Sequence, residues 1–267
     1  MAAVDDRKPD RTDQAGLIEW VFLDVGNVLY NDDPQNFEGY RFVFEAIRRR
    51  LPDYSFADLL AEREEWAKTG ADFILSKIVR RLLPDTDPKS IFGPLRERLA
   101  DSYDQNNILN DGALPVLERL RSRWRLGIIA NQPPECRHSL VRRGLFDFFD
   151  VVAISDELEL HKPDVRLYEW ALQQSGCDPS RTVMVGDRRD NDISPAKSAA
   201  MRAVLVQWPN CRSRGWNPDD PLAQAFLDSC DRIPLFSAVP VGPEPDATSI
   251  TLHGLPAAIG KLSDEGK

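Results

Sequence analysis

From Leu114 to Val206 the chain alternates between helical segments and short apolar runs, a rhythm that few folds accommodate. Helical spacing marks Leu114–Arg121, Glu135–Arg143, Val165–Ser175 and Ser194–Ala200, and Gly144 and Gly176 close two of these. Between and after them, Leu126–Ala130, Phe149–Ile154, Thr182–Val185 and Ala203–Val206 read as strands. Strands joined through helices by short connections run parallel with right-handed crossovers. The expected fold class is therefore α/β, with a doubly wound, Rossmann-type parallel sheet. Trp20–Leu23, apolar and partly β-branched, supplies a first strand well ahead of the alternation.

The stretch between that strand and the rest has another texture. From Phe42 to Leu83 apolar residues recur at helical spacing, punctuated by Pro52, Gly70, Pro84 and Pro88. About four helices and no strand are expected, so residues 32–107 form a small all-helical domain inserted into the core. The core then comprises 17–31 and 108–267. Residues 207–245, rich in Pro and Asp, are expected to be an irregular insertion with one helix at Leu222–Ser229. Thr248–Leu252 reads as an edge strand and Leu255–Leu262 as a last helix, while polar residues 1–16 read as a disordered tail.

Charge and composition remove some function classes. A formal net charge of −9 leaves no basic excess to displace counterions, so no nucleic-acid partner is expected. No apolar run approaches the length of a membrane span, and Met1–Ala15 has no apolar leader core. Cys136, Cys177, Cys211 and Cys230 are scattered, without a CxxC pair or a nearby His at zinc spacing. Free thiols in a reducing compartment, and a cytoplasmic location, are the expectation.

A parallel sheet gathers the carboxyl ends of its strands at one edge, where ligands bind in open α/β folds. Asp24 ends the first strand, and Ala130, Asn131 and Gln132 end the next. Lys162 follows the third strand, and Gly186-Asp187-Arg188-Arg189-Asp190-Asn191-Asp192 closes the fourth. Asp24, Asp187 and Asp192 facing one lysine would raise one another's pKa values without a cation. Hard oxygen donors on a few loops suit Mg²⁺, and the lysine suits a phosphate.

Asp24-Val-Gly-Asn-Val-Leu, Ile128-Ile-Ala-Asn, Lys162-Pro-Asp and Val185-Gly-Asp-Arg-Arg-Asp-Asn-Asp-Ile, in that order, resemble the haloacid dehalogenase superfamily over about residues 17–206. The helical insertion is similar to that family's cap. The resemblance implies a Mg²⁺-dependent phosphatase acting on a small phosphorylated metabolite. It makes Asp24 the nucleophile that carries the phosphoryl group, and Lys162 its catalytic partner. It assigns the metal to Asp24, the Gly26 carbonyl, Asp187 and Asp192, and the phosphate to Asn27, Asn131, Gln132 and Lys162, with the backbone amides of Asn131 and Gln132 as donors.

Two departures stand out. The family's phosphatases usually carry an acid–base aspartate where this chain has Gly26, and a hydroxyl residue where it has Ala130. General acid–base help is worth about 10²–10⁴ in rate. Its loss implies a slow enzyme or one restricted to good leaving groups. Asp32 and Asp33 lie close behind the first strand, but the expectation is that neither replaces the missing acid. A catalytically weakened binding or regulatory protein is the alternative, with 2-haloacid dehalogenation by Asp24 a further one.

Overall fold

The structure, a computed structural model, describes residues 17–71, 73–234 and 242–264; the expected tail at 1–16 lies outside them. Six strands form one parallel sheet: β1 (Trp20–Leu23), β4 (Arg125–Ala130), β5 (Val151–Ile154), β6 (Thr182–Gly186), β7 (Arg202–Val206) and β8 (Ala247–Ser249). Their order across the sheet is β5-β4-β1-β6-β7-β8. The chain builds outward from β1 through β4 to β5, then crosses to β6 on the other side. The strand order therefore reverses at β1, where a doubly wound sheet opens its ligand crevice.

Alternate strand residues face opposite helical layers. Val21, Leu23 and Ile128 pack on α6 (Ala113–Arg121), α7 (Glu135–Arg142) and α12 (Leu255–Asp264). Trp20, Phe22 and Ile129 pack on α9 (Val165–Ser175) and α10 (Ser194–Ser198). A one-turn helix, α8 (Ser155–Leu158), follows β5 directly. The sheet is thus covered on both faces, which is why its strands are apolar runs rather than alternating ones.

The insertion folds as α1 (Asp33–Arg48), α2 (Phe56–Lys68), α3 (Ile74–Leu82), α4 (Lys89–Asp101) and the one-turn α5 (Tyr103–Asn106). Local chemistry sets several of its boundaries. Ser55 caps α2 in a reciprocal box with Asp58, and Pro34 sits in the first turn of α1, where its missing N–H is tolerated. A two-residue antiparallel ladder not foreseen from the sequence, β2 (Tyr30–Asn31) with β3 (Ile108–Leu109), pinches the two chain crossings together.

The segment after β7 is less irregular than its composition implies. Helix α11 (Pro221–Arg232) is longer than the expected Leu222–Ser229 and lies against α1 and α2. Ala223, Phe226, Leu227 and Cys230 share one apolar core with Phe37, Tyr40, Phe56 and Leu60 of the cap. Arg63 of α2, fully buried, donates to the Ser229 carbonyl at 3.0 Å, to Ser229 Oγ at 2.9 Å and to the Ile233 carbonyl. Among the described residues no helix is long and apolar enough to cross a membrane. All four cysteines are free thiols.

Candidate active site

Register fixes the first acid. Leu23 of β1 pairs with Ile128 of β4 and with Val185 of β6, so Asp24 emerges one residue beyond the central pairing, beside Gly186 and Asp187. The Asp24 N–H still donates to the Val185 carbonyl at 2.9 Å, which anchors the backbone as the chain turns away. Asp24 Oδ1 accepts from the Val25 N–H at 2.8 Å and from Lys162 Nζ at 2.8 Å.

Lys162 is buried and bridges two carboxylates, its Nζ lying 2.6 Å from Asp192 Oδ1 as well. Asn131 holds the lysine backbone at both ends: its Oδ1 accepts from the Lys162 N–H at 2.7 Å and its Nδ2 donates to the Lys162 carbonyl at 2.9 Å. The asparagine side chain is thereby a clamp across β4 and the Lys162 loop. Asp192 is fully buried, and its second oxygen accepts from the Arg188 N–H at 2.9 Å across a wide helical turn at Arg189–Ile193. Gly186 makes room for it, since a β-carbon there would fall 2.2 Å from Asp192 Cγ.

Asp24, Asp187 and Asp192 bring carboxylate oxygens within 4.8 Å of one another, as the motif spacing implies. One lysine balances only part of that charge. Burial pushes Asp24 up to about 6, against the pull of Lys162 and with Asp192 adding to the rise. Burial likewise pushes Asp187 up to about 7, reinforced by Asp192 and Asp24. Burial also works against the charge on Lys162, yet Asp192 and Asp24 outweigh it and hold its ammonium above the usual range. A compact, all-oxygen donor set with excess negative charge fits a hard divalent cation such as Mg²⁺.

The remaining sequence-selected residues fall around this cluster. Asn27 adopts the left-handed conformation (φ 52°), and its carbonyl accepts from Trp208 Nε1 at 2.6 Å. The Gln132 N–H already donates to Ser155 Oγ at 3.1 Å, so this backbone donor is engaged within the core. Its side chain instead faces the site: Oε1 accepts from Tyr103 OH at 2.8 Å, and Nε2 lies 3.4 Å from where a Gly26 β-carbon would stand. Arg188 pairs with Asp190, and Arg189 with Glu244 at 2.7 Å, so both arginines have local acidic partners. Ala130 is fully buried and brings no hydroxyl.

Two neighbours of the site escaped the sequence, and a third was named there only to be set aside. Trp208 and Arg214 come from the segment after β7; Arg214 Nε lies 3.2 Å from Asp33 Oδ2, and Asn31 Nδ2 donates to the Arg214 carbonyl at 3.4 Å. Asp32 is the third. It precedes α1 as its N-cap but makes no side-chain capping bond. Burial raises its carboxyl well above the usual range, with Asp24, Asp187 and Asp33 adding to the rise. An Asp-Asp-Pro sequence ahead of a helix signals a cap, and nothing in that signal says which way the carboxyl turns.

Similarity to known proteins agrees with this architecture. Residues 18–200, more than half of the chain, match the family model of haloacid dehalogenase-like hydrolases. A glyceraldehyde 3-phosphate phosphatase of Methanothermobacter thermautotrophicus is 44% identical over 84 residues, covering 31% of this chain and 37% of that protein, so the match spans well under half of its length. A pyrimidine 5'-nucleotidase of Escherichia coli K12 is 28% identical over 73% of this chain and 88% of its own. The crystal structure of a phosphatase of the same superfamily from Thermococcus onnurineus shares the fold, with a TM-score of 0.57 at 21% identity over 91% of this chain and 98% of that one. The inserted helical cap, the reversing parallel sheet and four ordered motifs at one edge thus have a common explanation: this chain is an enzyme of the haloacid dehalogenase-like hydrolase family.

Proposed function

We propose that the protein is a Mg²⁺-dependent phosphatase that hydrolyses a small phosphate monoester through a phosphoryl group carried on Asp24. The observation that carries this reading is the Lys162 ammonium, 2.8 Å from Asp24 and 2.6 Å from Asp192, at the edge of a three-carboxylate cluster. A lysine so placed orients a nucleophilic carboxylate and leaves a cationic face for the equatorial oxygens of a transferring phosphoryl group. Both described bonds to the Asp24 side chain fall on Oδ1, which leaves Oδ2 as the attacking oxygen.

Asp24, Asp187, Asp192 and the Gly26 carbonyl would hold the cation, which supplies charge neutralisation at the phosphoryl oxygens when bound. Asn131 acts through Lys162 by fixing its backbone, and the Gln132 side-chain amide presents a donor toward the phosphoryl site. Asn27, turned by its left-handed backbone, stands at the same loop. The cap roof, with Tyr103 bonded to Gln132, excludes water and selects the rest of the substrate. The names of the phosphatase and nucleotidase relatives support a small phosphorylated metabolite as the substrate class.

The test is phosphate release by purified protein over a broad panel of phosphate monoesters, with Mg²⁺ or with chelator. Turnover that needs the metal and is abolished in Asp24→Asn is the expected result. An inert protein, or one whose phosphate release survives Asp24→Asn, overturns the reading.

A further inference from the structure

The expectation that no nearby acid replaces the side chain missing at Gly26 meets a contrary geometry at Asp32. A β-carbon placed on Gly26 would lie 2.3 Å from Asp32 Oδ2 and 3.3 Å from its Cγ. The Asp32 carboxyl thus fills the volume that a side chain at position 26 would enter. It does so at the expense of a structural role. An N-cap aspartate ordinarily accepts from a first-turn amide, and this one makes no such bond. Its Oδ1 is enclosed without any hydrogen-bond partner. A buried, unpartnered carboxylate oxygen costs stability, so its orientation is not explained by the fold.

We propose that Asp32 is the proton-transfer carboxyl of this active site, delivered from the root of the cap in place of the side chain that Gly26 lacks. The proposal rests on the phosphatase reading above. In the first half-reaction Asp24 Oδ2 forms a bond to phosphorus as the ester P–O bond breaks. The bonding pair goes to the ester oxygen, and the Asp32 carboxylic acid gives that oxygen its proton. In the second half-reaction the Asp32 carboxylate takes a proton from water as the water oxygen bonds to phosphorus. The Asp24–phosphoryl bond breaks, Asp24 recovers its carboxylate, and Asp32 is again the acid. Atoms and charges balance with water as the only co-reactant.

The experiment compares wild type, Asp32→Asn and the double variant Gly26→Asp/Asp32→Gly on alkyl phosphates and on aryl phosphates of graded leaving-group acidity. For wild type, kcat/KM is expected to depend weakly on the leaving group. Asp32→Asn is expected to lose about 10²–10⁴ on alkyl phosphates and far less on the best aryl leaving groups. Acid-quenched Asp32→Asn should also accumulate enzyme phosphorylated at Asp24, seen by mass spectrometry. The double variant, which frees the space that Gly26→Asp alone would clash with, should recover part of the loss. Asp24-dependent turnover that is unchanged in Asp32→Asn, or lowered equally for every leaving group, overturns the role of Asp32 and leaves the phosphatase reading standing. Absence of Asp24-dependent turnover in wild type overturns both.

Discussion

Lys162 is held by two charges and two backbone bonds, and so responds to substitution in a way that a surface lysine does not. Removing it strands Asp24 and Asp192 in a buried site, and breaking such a pair from one side costs about 3–5 kcal/mol. Lys162→Met should therefore destabilise the metal-free protein by that order in denaturant melts. It should also slow turnover by about 10²–10³, as loss of a preorganised donor does. Lys162 lowers the Asp24 pKa, so its removal should shift the acid limb of the pH–rate profile upward. A variant with wild-type stability and an unmoved acid limb would show that the ammonium is not coupled to Asp24. By contrast, an exposed pair such as Lys68–Glu65 carries little, because water screens it.

At the scale of elements, what the sequence disclosed and what it hid divide along a physical line. Trp20–Leu23 and Val165–Ser175 were legible to the residue because strand and helix periods are local properties of apolar residues. The four motif loops were legible because a parallel sheet puts all strand ends on one edge. The partner of α11 was hidden, since an amphipathic helix declares a buried face without naming what covers it. The aim of Asp32 was hidden for a similar reason: cap residues are recognised by position, and this carboxyl turns away from the helix it precedes. The engaged amide of Gln132 depends on Ser155, a residue of another strand connection, and no spacing rule reaches that far. The joint between α2 and α11 gives a test of its own. Arg63→Met keeps the volume but removes the guanidinium bonds to the Ser229 and Ile233 carbonyls, of which the first keeps the Ile233 N–H as a donor; a bond to a charged group contributes about 1.5–3 kcal/mol. Hydrogen exchange should then rise selectively in α11, and uniform protection in the variant would show that the helix is held by its apolar face alone.

For the whole molecule, the acidic cluster links pH, metal and stability. Asp24 and Asp187 titrate near 6 and 7 in the folded protein against an ordinary value of 3.8. The folded state therefore binds more protons than the unfolded chain across that window. Stability of the metal-free protein is highest below about pH 4 as far as these two groups are concerned, and falls as pH rises through 6 and 7. On the proposed function, Mg²⁺ would compete with those protons. At about pH 8, saturating Mg²⁺ at a hundredfold excess over Kd should add about 2.7 kcal/mol, and much less at about pH 5. Thermal melts at both pH values, with Mg²⁺ and with chelator, check this; an equal shift at both, or none, contradicts it. The shared core of α11 and the cap has a further consequence for anyone who recombines such enzymes. Helices α1 and α2 bury part of their apolar surface on a helix that lies well over a hundred residues further along the chain. If the cap selects the substrate as proposed, the unit that would have to be exchanged to alter that choice is thus discontinuous. A cap transplanted from a relative across residues 33–106 alone would arrive with one wall missing, and a chimera that also carries the relative's counterpart of 208–233 is the one that should fold.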